Sequence, residues 1–314
     1  MDPLPLHDRR VTQILECPSM AAGRPRDSDP ALSRTGGVSR YAFLARLQQT
    51  QMATLSLARD RKLNRLVALK QLAPRAAMKE GRVRRFLREI DILSRLRHPH
   101  VVALYDAGEW DGLPFFVMDY IPGQDFERFL RLSRPLRTKL SIVARVARAV
   151  AYIHQRGVIH RDLKPANILV DDVGEPYLID FGLARMAGEE RDPDSLTRPG
   201  EILGTPLYMP PEQLAGKTGE MGARSDIFAL GLVLYEAATG EGPGRREVPF
   251  RATRRLRRRS IFGTRERVPG VPDTVYEIAL RAMRRRPEER TSNALEIAAA
   301  IEGILPGLGD ACTG

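Results

Sequence analysis

The order of patterns along the chain predicts an α+β fold with a small, mainly-β lobe followed by a larger, mainly-α lobe. Three observations carry that reading. Short alternating runs crowd residues 41–120, helical spacing dominates after Gly123, and no internal repeat relates the two halves. A chain of 314 residues with 43% hydrophobic content can bury a sizeable core and is not globally disordered.

The elements follow in order. Residues 1–40 are rich in Pro, Gly, Arg, Asp and Ser and read as a flexible extension. Tyr41–Leu47, Met52–Ala58 and Arg65–Gln71 read as strands, with a polar turn before the third. A helix is expected over Val83–Leu96. Two strands follow, Val101–Glu109 and Leu113–Tyr120, joined by the turn Trp110-Asp111-Gly112. Arg137–Gln155 carries Val143, Val146, Ala147, Val150 and Ile153 at helical spacing, with Gly157 as its C-cap. Ser225 reads as the N-cap of a helix to Thr239 closed by Gly240. Its stretch Ile227–Tyr235 is apolar nearly all round, which predicts burial on every side. Helices are also expected over Pro272–Arg284 and Ser292–Ile304, and residues 306–314 as a C-terminal tail.

Composition narrows the partners. No run of roughly 18 apolar residues occurs, so no membrane partner is expected. The chain ends at Gly314 with no anchor segment and opens with no secretory pattern, and Cys17 and Cys312 stand far apart. Together these point to the cytoplasm. The formal net charge is +11, but 44 of the 50 basic residues are arginine and 6 are lysine. A bias that strong reads as general usage rather than as a nucleic-acid interface, and it makes each lysine informative. Arg245–Arg259 concentrates the arginines and reads as a solvated face, with acidic docking partners as the alternative.

The chemistry-bearing residues lie in a few short runs. His160-Arg161-Asp162-Leu163-Lys164-Pro165-Ala166-Asn167 precedes the apolar strand Ile168–Val170. Asp180-Phe181-Gly182 comes eighteen residues after Asp162, and Val67-Ala68-Leu69-Lys70 closes the third strand. On the helix Val83–Leu96, Glu89 falls inside the apolar arc of Phe86, Ile90 and Leu93. A carboxylate there needs a partner, because an unpaired buried charge is costly.

With these motifs the chain resembles the protein kinases, and in particular the bacterial eukaryotic-like serine/threonine kinases, from about Tyr41 to Ile304. The resemblance implies a kinase domain over 41–305, with lobes 41–120 and 121–305 and ATP with magnesium between them (manganese being the alternative ion). It implies γ-phosphoryl transfer to serine or threonine hydroxyls of protein substrates. Asp162 would orient the attacking hydroxyl, Lys164 would reach the transferring group, and Asn167 and Asp180 would hold the metal. Lys70, held by Glu89, would grip the α- and β-phosphates. The Asp119 carbonyl and Ile121 N–H would bind the adenine edge beside Met118. Asp125 would reach the ribose, and Ala68 and Leu169 would sandwich the ring. Glu212 would pair with Arg290, and Asp226 would anchor the catalytic loop. Ser195, Thr197 and Thr205 would be candidate phosphorylation sites. The sequence leaves the oligomeric state open.

The family pattern breaks at one place. Counting back from Lys70, the three glycine positions of the expected phosphate-covering loop hold Gln48, Thr50 and Ala53. Side chains obstruct backbone approach to phosphates, which should weaken phosphate positioning by ~1–3 kcal/mol. This keeps a rival reading in view, a nucleotide-binding pseudokinase or scaffold.

Overall fold

The computed structural model describes residues 40–182, 184–186, 207–215, 221–242 and 267–309, with 185 and 186 as backbone. The extension before residue 40, Ser195, Thr197, Thr205, Arg245–Arg259 and the end of the tail lie outside the described residues. The elements, in chain order, are β1 (Tyr41–Gln49), β2 (Ala53–Asp60), β3 (Arg65–Leu72), α1 (Pro74–Ala77), α2 (Glu80–Ser94), β4 (Leu104–Trp110), β5 (Leu113–Asp119) and β6 (Gly123–Asp125). They continue with α3 (Phe126–Leu130), α4 (Leu136–Gln155), β7 (Val158–Ile159), β8 (Ile168–Asp171), β9 (Pro176–Leu178) and β10 (Arg185–Met186). The last are α5 (Pro211–Leu214), α6 (Ala223–Thr239), α7 (Asp273–Ala282) and α8 (Ala294–Ile304). Strands come first and helices later, as expected for α+β. The described chain forms two compact units, one of residues 40–82 and 105–120 and one of 83–104 with everything from 121 on. The segment 83–104 thus packs with the second unit, although its place in the sequence lies within the first predicted lobe.

The first unit is an antiparallel sheet in the order β1-β2-β3-β5-β4. Its turns follow their residues. The β4–β5 hairpin closes on Asp111 and Gly112, both at positive φ, the pairing a two-residue turn between twisted strands requires. Asp60 ends β2 and accepts hydrogen bonds from the N–H groups of Lys62 and Leu63, which folds the chain back toward β3. Arg40 grips the same carboxylate through two nitrogens at 3.0 and 2.6 Å. One face of the sheet buries Tyr41, Ala58, Val67, Leu69, Phe115 and Val117, with Phe43 stacked on Trp110 at 4.8 Å beside them.

The second unit is organised by α4 and α6. Every apolar position that predicted α4 is buried. In α6, Ser225–Ala238 are buried without a break, so this helix runs through the core as its composition requires. Two small sheets, β6-β8-β9 and β7-β10, frame the loops between them. Among the described residues no helix is long and apolar enough to cross a membrane.

Several expected boundaries move. Gly222, not Ser225, caps α6; Ser225 sits one turn inside, where its hydroxyl accepts from the Gly222 N–H. The helix expected from Ser292 starts at Ala294, capped by Asn293 with its side-chain oxygen on the Glu296 N–H. Ile92, rather than Ile90, joins Phe86, Glu89 and Leu93 on the buried face of α2. Val101 stands outside β4 and instead bridges Leu178 in parallel.

Candidate active site

Asp226 explains why the 160–167 loop has its shape. Its carboxylate is buried inside α6 and accepts hydrogen bonds from the His160 N–H (2.8 Å), the Arg161 N–H (2.9 Å) and His154 Nε2 (2.8 Å). Burial alone would raise its pKa. The His154 hydrogen bond and charge, with the His160 ring and N–H, more than reverse that and hold the carboxyl below its ordinary range. Two consecutive N–H groups fixed on one carboxylate impose a tight turn. Arg161 takes it at φ +67°, a conformation costing a side-chain-bearing residue roughly 1–3 kcal/mol that the anchored amides offset.

The turn delivers Asp162. Lys164 Nζ donates to its Oδ2 at 2.8 Å and Asn167 Nδ2 to the same oxygen at 3.0 Å. Asn167 Nδ2 also reaches the Asp162 carbonyl at 2.7 Å. Both held contacts fall on one oxygen, and among the described residues Oδ1 accepts no hydrogen bond. The carboxylate is therefore orientated by one oxygen and open at the other.

His160 links this loop to the Asp180 segment. Its buried ring meets Phe181 at 4.9 Å, and its Nε2 lies 3.2 Å from the Ile179 carbonyl. The Ile179 N–H donates to the Asn167 carbonyl, which places Asp180 next to Asn167 along the chain path. Asp180 itself is exposed and held at φ +61°, with the Gly182 N–H on its Oδ1.

Helix α2 closes on the same segment. Arg85 Nε donates to the Gly182 carbonyl at 2.6 Å, and Glu89, one turn later, is buried beside it. A Cβ on Gly182 would lie 3.1 Å from Asp180 Oδ1 and 3.5 Å from Glu89 Oε2, so glycine keeps the two carboxylates' space clear. Sequence reading missed Arg85. Its position four residues before Glu89, on the same face, is the signal that could have found it.

The donor set suits a hard divalent cation. Asn167 spends its amide nitrogen on Asp162, which leaves its oxygen, and Asp180 adds an exposed carboxylate. Among the described residues no group of three or more His, Cys, Asp and Glu could hold a metal alone. One carboxylate and one amide oxygen would fill only part of the coordination shell of such a cation.

In the first unit, Lys70 stands on β3 opposite Leu55 and Phe116, with Nζ 5.5 Å from the centre of the Phe116 ring. Ala68, two residues earlier, faces Leu57 and Met118 in the register. Asp119 ends β5, and its carboxylate accepts from the Tyr105 hydroxyl. Ile121 opens the second stretch of chain in the second unit. There Leu169 pairs with Asp125 and Tyr177 across β8. Asp125 caps α3, accepting from the Arg128 N–H at 2.8 Å with the Arg128 guanidinium at 3.3 Å. Any ribose contact would share these oxygens.

Two further pairs brace the loop from below. Arg290 makes a two-pronged ion pair with Glu212, both bonds 2.7 Å and both side chains buried, and Ser225 Oγ adds a third bond at 3.0 Å. Gln213 Nε2 reaches the Arg161 carbonyl at 3.2 Å. The Glu212–Arg290 pair is the one the sequence reading expected.

Comparison with known proteins gives a consistent picture. The protein kinase domain family matches residues 41–300. The chain is 38% identical over 264 residues to the DNA damage-responsive serine/threonine-protein kinase RqkA of Deinococcus radiodurans. It is 35% identical over 262 residues to the serine/threonine-protein kinase PknB of Mycobacterium leprae, and 34% over 265 to PrkC of Bacillus subtilis. These matches cover 82%, 82% and 84% of the chain but 38%, 41% and 40% of the relatives, so it spans about two-fifths of their length.

Proposed function

The chain belongs to the protein kinase family, and on that premise we propose that it transfers the γ-phosphoryl group of ATP to serine or threonine hydroxyls of protein substrates. The observation that carries this is the Asp162 carboxylate, fixed through Oδ2 by Lys164 and Asn167 and open at Oδ1. Oδ1 accepts a hydrogen bond from the substrate hydroxyl and so points an oxygen lone pair at the γ-phosphorus. The hydroxyl oxygen bonds to that phosphorus as the bond to the β,γ-bridging oxygen breaks, and ADP leaves with its electron pair. The hydroxyl proton passes to Asp162. Lys164, 2.8 Å from Asp162, is near enough to neutralise charge on the transferring group. Lys70 is the proposed point charge for the α- and β-phosphates, and Glu89 its partner. Asp180 and Asn167 would hold magnesium (or manganese), which would supply charge neutralisation for the phosphates. The Asp119 carbonyl, the Ile121 N–H, Ala68, Leu169 and Asp125 remain the proposed adenosine contacts. A cytoplasmic setting belongs to the same reading.

A second reading, a nucleotide-binding scaffold without turnover, draws on the glycine-free β1–β2 turn. Transfer of labelled γ-phosphate from Mg·ATP to a generic basic protein separates the two. Label on serine or threonine that disappears in Asp162→Asn is expected. No label in either protein, at millimolar ATP and with manganese also tried, overturns catalysis by this chain.

A further inference from the structure

The β1–β2 turn has ordinary backbone geometry, and its hydrogen bonds close on themselves. Among the described residues positive φ at a residue other than glycine occurs at Asn64, Asp111, Arg161 and Asp180, none of them in this turn. The Thr50 hydroxyl accepts from the Met52 N–H at 3.1 Å and the Ala53 N–H at 3.0 Å, and lies 3.1 Å from the Ala53 carbonyl as donor. The Thr50 N–H donates to the same carbonyl at 2.9 Å, and the Met52 carbonyl accepts from the Ala73 N–H at 2.9 Å. Of the three amides at the tip, those of Gln51, Met52 and Ala53, only the Gln51 N–H makes no hydrogen bond among the described residues. Gln48, Thr50 and Gln51 are all exposed.

This matters because a protein kinase covers its nucleotide's phosphates with the backbone of that turn, in a stretch where glycines allow close approach. Backbone N–H groups are the donors such a turn can offer to phosphate oxygens, and a bond to a charged oxygen is about twice as strong as a neutral one. Here a single hydroxyl already occupies two of them.

We propose that Thr50 sets this protein's phosphate affinity by holding the Met52 and Ala53 amides away from the nucleotide. Phosphate recognition then rests on Lys70 and on the metal held by Asp180 and Asn167. The inference depends on the nucleotide-binding reading above and adds a residue to it. It also makes the missing glycines and the threonine one feature: a closed turn needs neither positive φ nor the close approach that glycine permits.

The test uses the full chain, its Thr50→Val variant and its Thr50→Ser variant. Valine keeps the branched shape and removes the hydroxyl; serine keeps the hydroxyl. Amide spectra and hydrogen exchange are recorded with and without the magnesium complex of a non-hydrolysable ATP analogue, and affinity is measured by calorimetry. In the native chain and Thr50→Ser, the Met52 and Ala53 amides should be protected without nucleotide and unmoved by it. In Thr50→Val they should exchange at least about tenfold faster when free, and shift and gain protection on binding. Affinity should tighten by about threefold to tenfold in Thr50→Val alone. Native Met52 and Ala53 amides that respond to nucleotide as strongly as those of Thr50→Val overturn the proposal. So does unchanged or weaker binding by Thr50→Val. Absence of binding in all three proteins at millimolar nucleotide is a different result. It overturns the nucleotide reading itself, and the proposal with it.

Discussion

The 160–167 loop and the β1–β2 turn solve opposite problems with the same kind of bond. In the loop, a buried carboxylate from another helix seizes two consecutive amides and forces Arg161 into left-handed backbone. The strain serves to present Asp162 with one oxygen held and the other open. In the turn, a local hydroxyl takes two consecutive amides and leaves the backbone relaxed. The first arrangement uses core interactions to hold Asp162 through one carboxylate oxygen. The second uses a surface side chain to satisfy two backbone amides locally. Polar satisfaction alone therefore does not mark a functional site; what matters is whether the satisfied geometry leaves a chemically useful atom open.

The comparison can be broken by mutation, the largest effect coming first. Asp162→Asn should lower phosphoryl transfer by about 10²–10⁴-fold while leaving the thermal midpoint nearly unchanged, because the amide keeps the shape and loses the proton acceptor. Parallel rate and melting measurements check this. An equally large fall in melting temperature would mean that Asp162 is structural.

Glu212→Ala comes next. It strands the buried Arg290 guanidinium and should cost about 3–5 kcal/mol in a denaturant titration. The double variant Glu212→Leu with Arg290→Met should recover most of that loss, because a buried pair is worth far less than its half-removal suggests.

Acid sensitivity sharpens the contrast between anchored and exposed carboxylates. The Arg40 hydrogen bonds hold the Asp60 carboxyl at about 2, below its ordinary 3.8, against the opposing effect of burial. Since the folded value is the lower one, this contribution is complete above about pH 4 and is lost as pH falls toward 2. Asp226 lies below its ordinary range as well and acts in the same direction. Unfolding free energy measured from pH 5 to pH 2 should fall for the native chain. Asp60→Asn should be less stable at pH 5 and show a shallower fall. An unchanged slope contradicts the assignment.

The smallest effect concerns Asp125. Asp125→Ala removes the α3 cap and should cost about 1 kcal/mol. If the carboxylate also serves the ribose, KM for ATP rises as well, and Asp125→Ser, which restores a cap, should recover stability but not KM.

Much of this could be read from residues because periodic burial and charge pairing are local or strongly constrained. The unbroken apolar run of Ile227–Tyr235 could only be a core helix, and Asp111-Gly112 could only close a hairpin. Glu212 and Arg290 are far apart in sequence, but the family pattern joined them. The three-residue strand β6 and the five-residue α3 were missed, being too short to show a period. Arg85 was missed although it stands four residues before Glu89 on one helix face, because its acceptor, the Gly182 carbonyl, is a backbone atom that no charge pattern marks. The Thr50 closure was missed because counting glycines shows what a turn lacks, not what its side chains do instead.

One titration bears most directly on the division of labour between loop and turn. Initial rates are measured for the native chain and Asp162→Asn as Mg·ATP rises to about 10 mM, well past the usual range of KM. The account predicts a weak apparent affinity but, at saturation, a turnover of roughly 1–100 s⁻¹ that Asp162→Asn lowers by about 10²–10⁴-fold. Tight saturation by Mg·ATP with turnover no faster than Asp162→Asn would contradict it, because the nucleotide would then be well held and the loop would do no chemistry.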